Sequence, residues 1–361
     1  MNSATAELGR QSGAEIDMIR TELAEIITVK HFELKPELEA RYGAIGRTKC
    51  RQDAAYHLSY LSEALQNSEP ALFSDYIRWA KTMLAERGIP ENDLADNLRV
   101  LRESLAEVLP KNFRQIACRY VDLGIDQLAR NDEHSASLIG AEIPLKTLAD
   151  DYLDALLRGR RDRASRLVIE AVENGTGIKE LYLQVFQNAQ HEIGRLWQTN
   201  RISVAQEHYC TAATQMIMSQ LYPYIFSSER NGRTLVATCV SGDLHEIGVR
   251  MVSDFFEMEG WDTFYLGANT PARDLLQAIK ERGADLALLS ATMTFHLRAV
   301  REMINLIRAD EQTRRVKIMV GGYPFNVAPN VWREIGADAF AADAESAVET
   351  AENLLRGADS K

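Results

Sequence analysis

The chain is poor in cysteine and has no long apolar run. Its four cysteines, Cys50, Cys118, Cys210 and Cys239, are widely spaced over 361 residues. Without a Cys-x-x-Cys pair the sequence supports neither a zinc ribbon nor a disulfide framework, and all four thiols are expected to be reduced. No apolar run approaches the roughly 18–20 residues that span a bilayer. The first residues are acidic and lack the apolar stretch of a secretory signal, so we expect a cytoplasmic protein with no membrane segment.

A basic segment is also lacking. The chain has 41 lysines and arginines against 52 acidic residues, a formal net charge of −11, and each of its three predicted parts is net negative. Nucleic-acid binding depends mainly on basic side chains that neutralise phosphates, so direct DNA binding is disfavoured. The arginines between residues 158 and 166 are interpreted as a solvated helix face. The composition is otherwise that of a folded globular protein.

Hydrophobic periodicity divides the chain into three parts. Residues 1–140 repeat apolar positions at helical spacing without strand-like alternation, which predicts an all-helical domain. A polar linker leads to a second helical block at 145–228, whose four predicted helices fit a four-helix bundle. From 233 to 357, short apolar strands alternate with amphipathic helices, which predicts a flavodoxin-like, doubly wound parallel sheet. The expected architecture is therefore multidomain, α plus α/β.

A polar loop follows the first predicted strand and contains Asp243, His245 and Gly248. In a doubly wound sheet, ligands bind at the carboxyl ends of the strands, where this loop falls. An aspartate two residues before a histidine can accept a hydrogen bond from one ring nitrogen and leave the other nitrogen facing a metal. An isolated Asp-x-His pair is equally compatible with a purely structural role.

Two further motifs follow at the ends of later strands. Ser290-Ala291-Thr292 ends the third predicted strand, and Gly321-Gly322 ends the fourth. With the Asp-x-His-x-x-Gly loop, this set resembles the cobalamin-binding signature, and the resemblance covers residues 233–355.

The resemblance implies a role for each of these residues. In such domains the dimethylbenzimidazole tail leaves the cobalt, so His245 would become the lower cobalt ligand and Asp243 would orient it. Ser290 and Thr292 would contact the buried tail. The two glycines would let the backbone approach that tail, which a Cβ would obstruct.

The helical block carries a narrower pattern. As a whole it resembles the helical cap that precedes cobalamin domains in methionine synthase and corrinoid methyl carriers. Trp197 and, after nine residues, Glu207 and His208 resemble the adenosylcobalamin-binding photoreceptors. That resemblance implies that Trp197 packs over the adenosyl group, Glu207 contacts it, and His208 takes the upper cobalt position after light breaks the cobalt–carbon bond. The plain alternative is a core tryptophan and an acid favoured by the helix macrodipole.

The N-terminal part departs from those photoreceptors, which typically carry a basic winged-helix domain there. An acidic helical domain is instead similar to the photocobilins, B12 photoreceptors that also hold a bilin, and this implies biliverdin or another bilin as a second chromophore. Five side chains are candidate bilin contacts, although each is interpreted first as an ordinary polar or packing residue: His31, His57, His134, Cys50 and Cys118.

Three functions remain open from the sequence. The first is an adenosylcobalamin light sensor, not an enzyme, which signals to a protein partner or an output domain in trans. The second is a corrinoid methyl carrier for a methyltransferase, and the third is a cobalamin sensor without photochemistry. An isomerase is disfavoured because no substrate barrel of about 250 residues is present. The family resemblance also suggests a homo-oligomer.

Overall fold

The computed structural model describes residues 3–130, 137, 139–140, 142–226 and 228–359. These residues form two compact units. One unit contains the N-terminal helices together with two later segments, Thr292–Arg301 and Tyr323–Ile335. The other contains the helices between Lys146 and Arg282, the C-terminal helix and a five-stranded sheet. Within the described ranges, no helix combines the length and the apolar character needed to cross a membrane.

The described part of the first unit begins with six helices, in agreement with the predicted all-helical N-terminal region. They are α1 (Ser3–Met18), α2 (Arg20–Leu34), α3 (Glu37–Gln66), α4 (Pro70–Ala85), α5 (Glu91–Val108) and α6 (Lys111–Leu128). Helix α3 is kinked at Gly43, where φ is 59°. Proline begins α4 because its missing N–H costs nothing in the first helical turn. Apolar side chains at helical spacing, such as Ile27, Leu58 and Phe73, form the buried core.

The segment Thr292–Arg301 packs into this unit through specific contacts. The Phe295 ring meets the Tyr60 ring edge-on, with centroids 5.4 Å apart. Arg298 forms an ion pair with Asp17 at 2.8 Å, and Arg301 donates to the side chain of Asn67 at 2.8 Å. Both later segments of the unit come from the part of the sequence that was predicted to form the sheet domain, so the unit is not contiguous in sequence.

A buried carboxylate in the first unit gives it a pH-dependent stability. Glu63 is 0% exposed, and it forms an ion pair with Arg298 at 3.5 Å. Burial raises the pKa of Glu63 from 4.5 to about 7, against the opposing charges of Arg301 and Arg298. Between these two pH values the folded chain holds a proton that the unfolded chain has lost. The free energy of unfolding therefore falls as pH rises through this window.

Glu63→Gln is accordingly expected to remove that fall and to make the protein more stable than wild type at pH 8. Urea unfolding at pH 5 and pH 8 measures it. Glu107→Gln is the matched control, because Glu107 is 63% exposed. A Glu63→Gln protein that loses stability at pH 8 would show that the ion pair with Arg298 outweighs the cost of burial.

The second unit begins with the predicted helical block. Its helices are α7 (Lys146–Leu157), α8 (Arg161–Glu173), α9 (Ile178–Leu181), α10 (Asn188–Gln198), α11 (Val204–Gln220) and the short α12 (Tyr222–Ile225). A π-helical turn over Tyr182–Gln187 joins α9 to α10, so these two run as one long helix. Ser203 and Gln206 form a capping box that starts α11. Glu207 and His208 therefore lie in the first turn of α11.

The sheet has the predicted flavodoxin-like topology. Its parallel strands are β1 (Thr234–Cys239), β2 (Asp262–Tyr265), β3 (Leu286–Ser290), β4 (Lys317–Gly321) and β5 (Ala339–Phe340), in the order β2-β1-β3-β4-β5. The intervening helices are α13 (Ile247–Met258), α14 (Ala272–Arg282), α15 (Leu297–Ala309), α16 (Tyr323–Val327) and α17 (Val331–Glu334), followed by α18 (Ala344–Asp359). The strand order reverses between β1 and β3, which is where such sheets bind ligands.

Strand register brings the three sequence motifs side by side. Cys239 at the end of β1 pairs with Ser290 of β3, and Ser290 pairs with Gly321 of β4. The loop with Asp243 and the Gly-Gly pair thus start from the same edge of the sheet. The fold predicted from the sequence is confirmed.

Candidate functional site

A carboxylate–histidine pair stands at the end of β1. Asp243 is fully buried, and its Oδ1 accepts hydrogen bonds from the backbone N–H of His245 at 3.0 Å and from Nδ1 of the same ring at 2.7 Å. A carboxylate can only accept, so the proton of the neutral ring sits on Nδ1 and the lone pair of Nε2 remains available. The His245 side chain is 59% exposed. The pair therefore presents an oriented imidazole nitrogen at the switch point of the sheet, of the kind that can ligate a metal.

Nearby charges act on this histidine from two elements. The hydrogen bond to Asp243 raises the pKa of His245 and outweighs the effect of burial, and the charges of Asp243 and Glu207 act in the same direction. Glu207 belongs to α11 of the helical block. The first turn of α11 is therefore close enough to His245 to influence its ring electrostatically.

The surroundings of His245 leave room for a flat apolar ligand. A Cβ added at Gly248 would meet no atom within 4 Å, so packing within the protein does not require a glycine there. Leu244 and Val204 are large apolar residues that are 73% and 54% exposed in the same unit. An available imidazole nitrogen, open space beside it and exposed apolar side chains together fit a corrinoid with histidine below the cobalt.

The predicted tail contacts have different surroundings. Ser290 is buried at 8% exposure. Gly322 has a φ of +103°, and a Cβ there would lie 2.1 Å from the carbonyl oxygen of Ala291. Gly322 is thus required by the approach of the chain's own backbone. At Gly321 a Cβ would find the Ala341 carbonyl at 3.4 Å, which is tolerable. Thr292, half-buried, is the first residue of the segment that belongs to the other unit.

The helical block repeats the carboxylate–histidine arrangement. Oε2 of Glu207 accepts from Nδ1 of His208, and Oε1 accepts from the Thr211 hydroxyl at 3.0 Å. The His208 side chain is 74% exposed, and its Nε2 is again the nitrogen left for a metal. Trp197, near the end of α10, is half-buried. The sequence pattern picked out these three residues but did not reveal that Glu207 fixes the His208 ring.

Sequence reasoning missed Glu246, the residue next to His245. Its Oε1 accepts from the Gln215 amide of α11 at 2.9 Å, and its Oε2 accepts from the Tyr265 hydroxyl of β2 at 2.8 Å. Glu246 thereby fastens the helical block to the sheet beside the candidate ligand. No local pattern signals this role, since both partners are distant in sequence.

The N-terminal candidates are engaged in packing and hydrogen bonds. His57 is buried and bonded to the Tyr76 hydroxyl at 2.8 Å, and burial lowers its pKa to about 4. Nδ1 of His31 lies 3.0 Å from the Asn97 amide nitrogen. Burial raises the pKa of Cys50 to about 11 and also raises that of Cys118, so neither is a ready nucleophile. His134 lies outside the described residues.

Comparison with known proteins matches both parts of the second unit. Two family models, each described as a B12 binding domain, match residues 233–352 and residues 148–222. Dimethylamine corrinoid protein 2 of Methanosarcina acetivorans is 30% identical over 219 residues, which is 58% of this chain and 97% of that protein. The chain belongs to the corrinoid protein family.

Other corrinoid proteins match over a similar extent. Dimethylamine corrinoid protein 3 of Methanosarcina acetivorans is 29% identical over 220 residues, covering 58% of this chain and 98% of that protein. Among solved structures, the monomethylamine corrinoid protein of Methanosarcina barkeri covers 59% of this chain and 99% of its own, with a TM-score of 0.52 and 23% identity. That likeness shows the fold. These corrinoid proteins lend no support to the predicted light sensor.

Proposed function

We propose that this chain binds a corrinoid at the carboxyl edge of its sheet, with His245 below the cobalt, and carries a methyl group for a methyltransferase partner. The observation that carries the proposal is the Asp243–His245 pair, oriented at the switch point of a chain whose relatives are dimethylamine corrinoid proteins. Dimethylamine is a source of methyl groups, and nearly the whole length of those relatives is matched by the helical block and the sheet.

Each residue near the site has a definable task in this function. A bound corrinoid supplies a cobalt whose upper position accepts and releases a methyl group. Asp243 holds the proton on Nδ1 of His245, which makes Nε2 a stronger donor to the metal. Glu246, through Gln215, holds the helical block in place beside the site.

A light-dependent adenosylcobalamin sensor is the second candidate, and the Glu207–His208 pair favours it. A methyl carrier has no evident need for a second imidazole held by a carboxylate on the helical block. In a light sensor, Trp197 would cover the adenosyl group, and His208 would reach the cobalt once that group has left. A partner protein or an output domain in trans would then receive the signal.

His208→Ala distinguishes the two candidates. In the light sensor, the variant is expected to bind adenosylcobalamin in the dark like wild type and to lose the absorption spectrum of a cobalt held by two histidines after green light. His191→Ala, another exposed histidine of the block, is the matched control. In the methyl carrier, wild type binds methylcobalamin and passes its methyl group on, binds the adenosyl form poorly, and gives no stable photoproduct.

A bilin in the N-terminal unit and a homo-oligomer remain predictions. Added biliverdin would produce a new red absorption band on binding, and sedimentation would give the oligomeric state. If biliverdin neither binds nor shifts the spectrum, the N-terminal unit does not hold this chromophore. That result would be compatible with the methyl carrier.

A further inference from the structure

The loop after β2 braces the loop that carries His245. It covers residues 266–271 and contains Asn269, whose φ is +53°. Few side chains adopt this left-handed conformation, and asparagine tolerates it better than most. This left-handed residue is hydrogen-bonded to the loop that carries the candidate ligand.

Asn269 makes two hydrogen bonds to the backbone of Gly242 and Asp243. Its backbone N–H donates to the Asp243 carbonyl at 2.9 Å. Its side-chain Oδ1 accepts from the Gly242 N–H at 2.7 Å. Both bonds come from one residue, so Asn269 holds the peptide before Gly242 and the peptide after Asp243, on either side of the Gly242–Asp243 dipeptide.

These two hydrogen bonds affect the imidazole through Asp243. The Asp243 carboxylate fixes His245 twice, through the backbone N–H and through Nδ1. A shift of the Asp243 backbone would carry the carboxylate, and with it the ring, away from its present direction. Ser241 strengthens the brace by donating to the Thr270 carbonyl at 2.9 Å.

We infer that Asn269 is a positioning residue for the cobalt ligand His245, acting from the neighbouring strand through the backbone of Asp243. The inference rests on the proposed corrinoid binding. The alternative is an asparagine that merely closes a turn, a role that this residue type commonly has. The two differ in one respect, because only the positioning role links the Asn269 side chain to metal ligation.

Three variants separate these roles. Asn269→Gly keeps the left-handed backbone at little steric cost and removes the acceptor for Gly242. Asn269→Asp keeps an acceptor and tolerates the same backbone. Asn200→Gly is the matched control, since Asn200 also has a left-handed φ of +55° but lies between α10 and α11. Thermal unfolding without corrinoid checks that each variant folds.

The readout is electron paramagnetic resonance of cob(II)alamin bound to protein labelled with ¹⁵N-histidine. A histidine ligand splits the signal into doublets, whereas the natural ¹⁴N tail gives triplets. Loss of one neutral hydrogen bond should lower the ratio of histidine-bound to tail-bound or unligated cobalt about fivefold in Asn269→Gly. Asn269→Asp and Asn200→Gly should keep the wild-type ratio.

The outcomes that overturn the inference are distinct from failure of the proposed function. A wild-type ratio in Asn269→Gly, with or without a lower melting temperature, leaves Asn269 as a turn residue. Equal losses in the glycine and aspartate variants would show that the side-chain acceptor is not what positions His245. Absence of doublets in the wild-type protein would instead contradict His245 ligation itself.

Discussion

Replacing His245 with alanine is expected to abolish the histidine-bound cobalt spectrum and to weaken corrinoid retention by about a hundredfold or more. Removal of a partner that only orients a metal ligand costs about 10- to 100-fold in metal affinity, so removal of the ligand should cost at least as much. His245 is the histidine whose Nε2 is oriented by a fully buried carboxylate at the sheet edge. Absorption spectra and equilibrium dialysis with cob(II)alamin measure both effects.

The control for this experiment is His191→Ala, which removes an exposed histidine from the helical block of the same unit. It should bind and retain the corrinoid like wild type. If His245→Ala still shows a doublet from labelled histidine, another imidazole holds the cobalt, and the proposed arrangement is wrong. His208 would then be the first residue to examine.

Gly322→Ala is expected to lower the free energy of unfolding by about 3 kcal/mol or more, without any corrinoid present. A residue forced into an unsuitable positive φ costs about 1–3 kcal/mol, and a clash adds to that cost. Here the added Cβ would lie 2.1 Å from the Ala291 carbonyl oxygen, so the β3 and β4 ends would have to separate. Urea unfolding followed by circular dichroism measures the change.

Gly248→Ala is the informative comparison, because a Cβ there meets nothing within 4 Å. In the first turn of α13, alanine should leave the stability unchanged or raise it by about 0.5–1 kcal/mol. The same methyl group would stand in the open space beside His245 and hinder the corrinoid. Gly248→Ala should therefore fold normally and bind poorly, and equal stability losses in both variants would contradict this distinction.

The sheet and its three motifs were predictable because they depend on local sequence. Apolar strands alternating with helices specify a doubly wound sheet, and parallel register then places the ends of β1, β3 and β4 side by side. Asp243 and His245 are two residues apart, so their hydrogen bond is a local feature as well. The pairing of Glu207 with His208 is equally local, but many adjacent acid–histidine pairs point apart, and only the structure shows this contact.

Glu246 and Asn269 could not be assigned from the sequence. Their roles depend on Gln215, Tyr265 and Gly242, which reach them only after helices and strands have packed. The extent of the N-terminal unit was missed for the same reason. Phe295 and Arg298 look like the start of an ordinary sheet-domain helix, and the local sequence does not indicate that their partners lie in α1 and α3.

The N-terminal unit consists of three separate segments of the chain, and this determines how its domains can be exchanged with those of another protein. Because Tyr60 packs on Phe295, and Asp17 pairs with Arg298, the N-terminal helices are not a module that ends where their sequence ends. Deleting them would leave an aromatic ring exposed and a cation without its partner on the segment after β3. A working chimera with another corrinoid protein would therefore need five crossovers, one at the linker and two around each of the segments Thr292–Arg301 and Tyr323–Ile335.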